Sequence, residues 1–238
     1  GEGIDLTSNS DNNNFYNINS SSNTNFGFGM GIFIDSSTNN SFYNTTISSN
    51  DGWGVWFASA TNNVFNNLEA YSNPSPEVYS EDWENSTGNI LLYNDSFGQI
   101  RFRSLTLDID GTLRYGPGTN ISISNNSAYV NVNSDIEELN ISANVTLRNL
   151  PTNFANPLIK KDGVTCNANE CSNFTSLNAG NVTFNVSSWS NYSIAEDSLP
   201  NVTSVKLTTT NPATNDTTQN LTATVSASDA DGDNITLA

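Results

Sequence analysis

Apolar residues in the first third of the chain come in short pairs spaced two apart, Ile4/Leu6, Ile32/Ile34 and Val55/Phe57. Each pair is followed by an Asn-Asn corner, an aromatic residue and a further Asn, within GIDLTSNSDNNNFYNINSSSN at 3–23, GIFIDSSTNNSFYNTTISSN at 31–50 and GVWFASATNNVFNNLEAYSN at 54–73. A spacing of two places side chains on one face of a strand, and recurrence of a whole phrase every twenty-odd residues marks a solenoid. One coil cannot stand alone: its roughly five apolar side chains recover ~1.5–3 kcal/mol each, while ordering costs ~1–2 kcal/mol per residue. Stacked at ~4.8 Å, coils pair their strands and set like residues above like. The pattern therefore predicts about four coils of a parallel β-helix over residues 1–98, with Phe15, Phe42 and Phe65 stacked inside. Side-chain ladders are expected along Asn12/Asn39/Asn62, Asn13/Asn40/Asn63 and Asn17/Asn44/Asn67. Gly3, Gly31 and Gly54 are expected in tight or left-handed turns, and 24–30 reads as a loop bulging from the first coil. Residues 74–87 read as a long polar loop and 88–97 as the last coil strand.

From Gln99 the pattern changes to alternation, in IRFRSLTLDID (100–110), TNISIS (119–124), AYVNVN (128–133), LNISANVTLRNL (139–150) and NVTFNVSSWSNYSI (181–194). Such strands, separated by DG, YGPG, SNN and NAG turns, predict an antiparallel β-sandwich over 99–197. The run LIKKDGVTCNANECSNFTSLNAGNVTFNVSSWSNYSI resembles the closing part of immunoglobulin-like modules that follow β-helix repeats in archaeal surface proteins. Residues 198–238 look like the opening strands of a cadherin-like or polycystic-kidney-disease-type module. A complete sandwich takes about 100 residues, so this module is expected to be partial. The expected fold class is all-β: a short right-handed parallel β-helix, an immunoglobulin-like sandwich and a partial sandwich module.

Charge narrows the partners. The chain carries 7 Lys and Arg against 24 Asp and Glu, no His, and a net charge of −17. Nucleic acid is not expected as a partner, because no basic patch is available to displace counterions from phosphates, and anionic membrane surfaces are not expected on the same ground. No apolar run approaches the ~20 residues of a membrane span, so no membrane insertion is expected in this segment. No signal peptide is visible, and the chain opens without Met, as a mature product or an excised segment would.

Of 42 Asn, 17 stand in N-x-S/T sequons, including Asn19, Asn85, Asn94, Asn120, Asn140, Asn144, Asn181, Asn191, Asn201 and Asn220. N-linked glycans and an extracellular, cell-surface location are expected, although a chain this rich in Asn, Ser and Thr also makes sequons by chance. Asn39 and Asn44 carry sequons but lie in the expected ladders. Cys166 and Cys171 are too few for a zinc site without His, and read as a local disulfide of an oxidising exterior; the alternative is two thiols in a reducing compartment.

Parallel β-helices host polysaccharide lyases and hydrolases, yet residues 1–98 contain no Lys, Arg or His to act as a lyase base. Their acids do not repeat in register, Asp5 aligning with Phe33 and Asp35 with Thr7, so no enzymatic site is expected. Phe26, Phe28, Trp53, Trp56 and Trp83 are candidates for a sugar-stacking platform, or for packing along the coil flank. In DADGD, Asp229, Asp231 and Asp233 alternate around a Gly and suit Ca2+, the alternative being a metal-free acidic turn. The expectation from these features is a structural subunit of a surface filament, S-layer-like array or adhesive stalk, polymerising head to tail through an open first coil and an unfinished last module. The alternative is a carbohydrate-binding or polysaccharide-degrading module with surface glycans as partners.

Overall fold

The structure is a computed structural model describing residues 1–26, 28–80, 86–102, 109, 111–132, 136–197, 200–211, 213, 218–229 and 235–236. Apart from a 3-10 turn at Glu137–Leu139, the regular elements among these residues are β-strands.

The first coil contains β1 (Ile4–Leu6), β2 (Asn14–Tyr16) and β3 (Asn19–Ser21); the second β4 (Ile32–Asp35) and β5 (Ser41–Ser48); the third β6 (Val55–Ala58) and β7 (Val64–Tyr71). β8 (Val78–Ser80) and β9 (Ile90–Asn94) extend the two solenoid sheets by one further strand each. One sheet runs β1-β4-β6-β8, parallel throughout, with Ile4, Ile32, Val55 and Val78 in one row. The other solenoid face stacks β2 and β3 on β5, then β7 and β9, also parallel. The solenoid makes about three turns rather than four. Phe42 and Phe65 are buried and stack at 4.4 Å, and the half-buried Phe15 stacks on Phe42 at 4.7 Å.

Left-handed residues set the corners. Asn12, Asn39 and Asn62 have φ of 60°, 58° and 57°, and Asn17, Asn44 and Asn67 have 54°, 53° and 60°. Asn tolerates this region better than most residues, so the Asn-rich pattern encodes backbone direction as well as hydrogen bonding. Of the tight or left-handed turns expected at Gly3, Gly31 and Gly54, the left-handed alternative is not found; these glycines are required by close approach. A Cβ on Gly31 would stand 2.6 Å from the Gly54 carbonyl oxygen, and one on Gly54 2.3 Å from that of Glu77.

Residues 74–87 are not wholly loop, since β8 lies within them and pairs with β6. Its Val-Tyr-Ser repeats the in-out-in burial of Val55-Trp56-Phe57, a likeness the surrounding prolines and acids obscure in the sequence.

Beyond the solenoid come β10 (Gly98–Phe102), β11 (Ile121–Ser124), β12 (Ser127–Val130), β13 (Ala143–Leu147), β14 (Pro157–Lys161), β15 (Val164–Thr165), β16 (Cys171–Asn173), β17 (Val182–Val186) and β18 (Asn191–Glu196). The pairing sense turns antiparallel at β9–β10, and the sheet does not break there. It continues as β16-β17-β13-β10-β9-β7-β5-β2. A second antiparallel sheet runs β11-β12-β18-β14-β15. The segment 181–194, expected as one strand, is two: β17 and β18 belong to different sheets, and the buried Trp189 lies between them, against Phe102 and Tyr192. One apolar cluster extends from Leu6 in the first coil through Phe102 and Val145 to Ile194.

A polar clamp holds the junction. Asp95 Oδ1 accepts from the N–H groups of Phe97 and Gly98, and Tyr115 donates its hydroxyl to Asp95 Oδ2 at 2.6 Å. Arg148 donates to the carbonyls of Asp95 and Gly98 and to Asn94 Oδ1. Burial pushes the Tyr93 and Tyr115 hydroxyls above their ordinary range, and the Tyr93 hydroxyl donates to the Leu68 carbonyl. Finally, β19 (Asn201–Thr209) and β20 (Leu221–Ser228) form a two-stranded sheet on which Val202, Val205, Leu207 and Leu221 are exposed.

Candidate ligand-binding face and its supports

The middle residue of each short strand in the β1-β4-β6-β8 sheet points away from the core, because its neighbours on either side point in. Register places these residues in one row, Asp5, Phe33, Trp56 and Tyr79. Phe33 and Tyr79 meet Trp56 edge to face at 5.4 and 5.6 Å, and Trp53, just before β6, lies 4.7 Å from Trp56 and 6.0 Å from Tyr79. Phe28 extends the group from the 24–30 loop, 6.2 Å from Trp53 and 58% exposed. That loop is braced by Asp51, whose carboxylate accepts from the N–H groups of Asn25 and Gly29.

Three of the five expected platform residues thus come together, Phe28, Trp53 and Trp56. Phe26 is fully exposed and makes no ring contact among the described residues, and Trp83 lies outside them. Phe33 and Tyr79 were missed: Phe33 is the central residue of an apolar-flanked triplet in register with Trp56, whereas Tyr79 lies between Val78 and Ser80 and takes its place in the row only through the β6–β8 register. At the row's first position stands the exposed Asp5. Burial, then the nearby carboxylates of Glu2 and Asp35, push its carboxyl up, so this end of the face is electronegative.

Two hydrogen-bonded Asn lines stiffen the solenoid beneath. Asn13, Asn40, Asn63 and Asn89 follow one another, the Oδ1 atoms of Asn40, Asn63 and Asn89 each accepting from the backbone N–H and the Nδ2 of the Asn one coil before. Asn23, Asn50 and Asn73 do the same, and the line ends on Glu77, whose carboxylate accepts both donors of Asn73. This second line was also missed; its signal is the Ser-Asn that closes each repeat. Burial raises the Glu77 carboxyl above its ordinary range, against the opposing pull of its Asn73 hydrogen bonds. On the exposed corner Asn44 donates to Asn17 and Asn67 to Asn44, as expected. Asn12, Asn39 and Asn62 repeat a backbone conformation, and their side chains do not bond to one another; Asn39 donates to Thr38 instead.

Asn19, Asn201 and Asn220 are exposed. Asn140, Asn181 and Asn191 are exposed too, with their Oδ1 atoms accepting from Trp189 N–H, Asn149 N–H and the Ser127 hydroxyl. Asn94 and Asn144 are half-buried acceptors, from Arg148 and Asn185, and Asn120 is engaged at both ends by Arg114 N–H and the Thr112 carbonyl. Asn85, Asp231 and Asp233 lie outside the described residues; Asp229 is half-buried just past β20. Among the described residues no group of three or more His, Cys, Asp or Glu could hold a metal, and no helix is long and apolar enough to cross a membrane. Cys166 and Cys171 are disulfide-bonded, closing the turn from β15 to β16. Comparison of the chain with family models, curated proteins and solved structures finds no match.

Proposed function

We propose that the chain is a structural module of an extracellular cell-surface assembly, a filament, an S-layer-like array or an adhesive stalk, bearing N-linked glycans. The observation that carries this reading is the bracing. Coils tied by two lines of hydrogen-bonded Asn share one core with the antiparallel strands, which suits a shape-persistent support. A local disulfide is at home in an oxidising exterior. On this reading the solenoid winds right-handed, residues 99–197 are an immunoglobulin-like sandwich of the kind that follows β-helix repeats in archaeal surface proteins, and 198–238 open a cadherin-like or polycystic-kidney-disease-type module. Copies associate head to tail, and Ca2+ at 229–233 stiffens the last module. The test is mass spectrometry and electron microscopy of native material. Sugar at exposed sequons, Asn19, Asn191 and Asn201 among them, within a polymer or array is the expected result; sugar-free, dispersed monomers would refute it.

A further inference from the structure

We propose that the outer face of the β1-β4-β6-β8 sheet binds a neutral, extended polysaccharide, stacking its sugar rings on Phe33, Trp56, Tyr79, Trp53 and Phe28. The row Phe33, Trp56, Tyr79 follows the solenoid axis, one ring per coil with centroids 5.4 and 5.6 Å apart, and Trp53 and Phe28 flank it, 4.7 Å from Trp56 and 6.2 Å from Trp53 respectively. The rings are inclined to one another by 37° to 75°, so they form a ridged apolar strip of faces and edges, against which a ribbon-like chain can lay successive apolar C–H faces. Phe28 is the most open member, on a loop that Asp51 holds in place beside Trp53.

Charge chooses among glycans. Asp5 continues the row and Asp35 lies one outward position further along β4, so carboxylate oxygens border the rings as acceptors for sugar hydroxyls. A uronate or sulfated chain would place its anions against these carboxylates on a molecule of net charge −17 and be repelled. A cationic amino-glycan would be drawn in by charge, but that attraction fades with salt and needs no rings. Stacking persists in salt, and only an uncharged chain draws on the aromatic row alone. Carboxylates bordering aromatic faces are therefore matched by hydroxyl-rich, uncharged sugars.

This site is independent of the structural role proposed above, and its failure would leave that role standing. The experiment is calorimetric titration of the full chain with cellohexaose, N-acetylchitohexaose, hexagalacturonate and glucosamine hexamer, at low and at physiological salt. At least one neutral hexamer should bind at both salt levels, and hexagalacturonate should not. Trp53→Ala and Trp56→Ala should weaken binding tenfold or more, and Phe28→Ala, on an exposed side chain, by about threefold with the circular dichroism of the parent retained. Absence of binding by both neutral hexamers overturns the proposal. So does binding that Phe28→Ala, Trp53→Ala and Trp56→Ala all leave unchanged, or binding confined to the glucosamine hexamer and lost in salt.

Discussion

Glu77 occupies the place where the line of Asn23, Asn50 and Asn73 would put a fourth asparagine, and the exchange of amide for carboxyl makes that end of the line responsive to pH. The side chain is 2% exposed, and burial holds its carboxyl above the ordinary glutamate range. The folded chain therefore keeps the proton more tightly than the unfolded chain. Stability from this group is fully present below the ordinary glutamate value and is lost as pH rises through the raised one. Glu77→Gln keeps an oxygen acceptor and removes the charge, so its melting temperature should exceed the parent's at neutral pH, by about 2–4 °C for each kcal/mol recovered. At acid pH the two should converge. Melting profiles from pH 3 to pH 8 check this, and parallel profiles for the two proteins would show that Glu77 is not the responsive group. Glu77 was legible only as one of several unaligned acids, because its role depends on a stacking position that follows an irregular, proline-flanked stretch.

Among elements, the two kinds of Asn repeat are expected to differ in energy. Asn63 is buried, accepts both donors of Asn40, and gives its own to Asn89 and to the Ser37 carbonyl. Asn63→Ala would leave several buried polar groups unpaired and should cost about 3–5 kcal/mol, at ~1–3 kcal/mol for each unsatisfied group. Asn44 is exposed, with φ at 53°, and Asn44→Ala should cost only about 1–2 kcal/mol, chiefly the strain of a left-handed Ala; Asn44→Gly should recover most of it. Chemical denaturation of the three variants measures the differences, and equal costs for Asn63→Ala and Asn44→Ala would contradict the assigned roles. These repeats also mark how far pattern reading reaches. Period, apolar pairs, the Phe stack and two of three Asn ladders are visible in residue spacing, because each coil repeats the same local rules. β8 is hidden by Pro74, Pro76 and the acids around it, and the division of 181–194 into two strands depends on Trp189 turning into a core that only the assembled sheets create. Of the candidate face, Phe28, Trp53 and Trp56 could be picked out as aromatics near the bends. Phe33 and Tyr79 required the register.

At the scale of the molecule, composition shows a change of pattern near Gln99 and gives no hint that one sheet crosses it. β9 receives β7 in parallel on one side and β10 antiparallel on the other, and the buried residues on both sides of this switch form a single cluster. Arg148, on the chain leaving β13, fastens the same place through the carbonyls of Asp95 and Gly98. Two domains joined by a linker would unfold separately, whereas a shared sheet and core make the solenoid and the strands from β10 to β18 one cooperative unit. Phe42→Asp tests this from a distance. Phe42 is buried between Phe15 and Phe65, and a carboxylate there has neither water nor a partner, so the variant should be severely destabilised. Its effect should not stop at β5. Amide protection in β13 and β17, strands that belong to the antiparallel part of the same sheet, should fall together with that in β5 and β7. The hairpin of β19 and β20, whose apolar side chains are exposed, should exchange rapidly in parent and variant alike, as two-stranded sheets are marginal in water. Hydrogen exchange resolved by segment reads all three regions at once. Protection kept at the parent level in β13 and β17 while β5 is lost would mean that the continuous sheet does not couple them, and an unchanged melt would mean that the Phe column does not hold the coils.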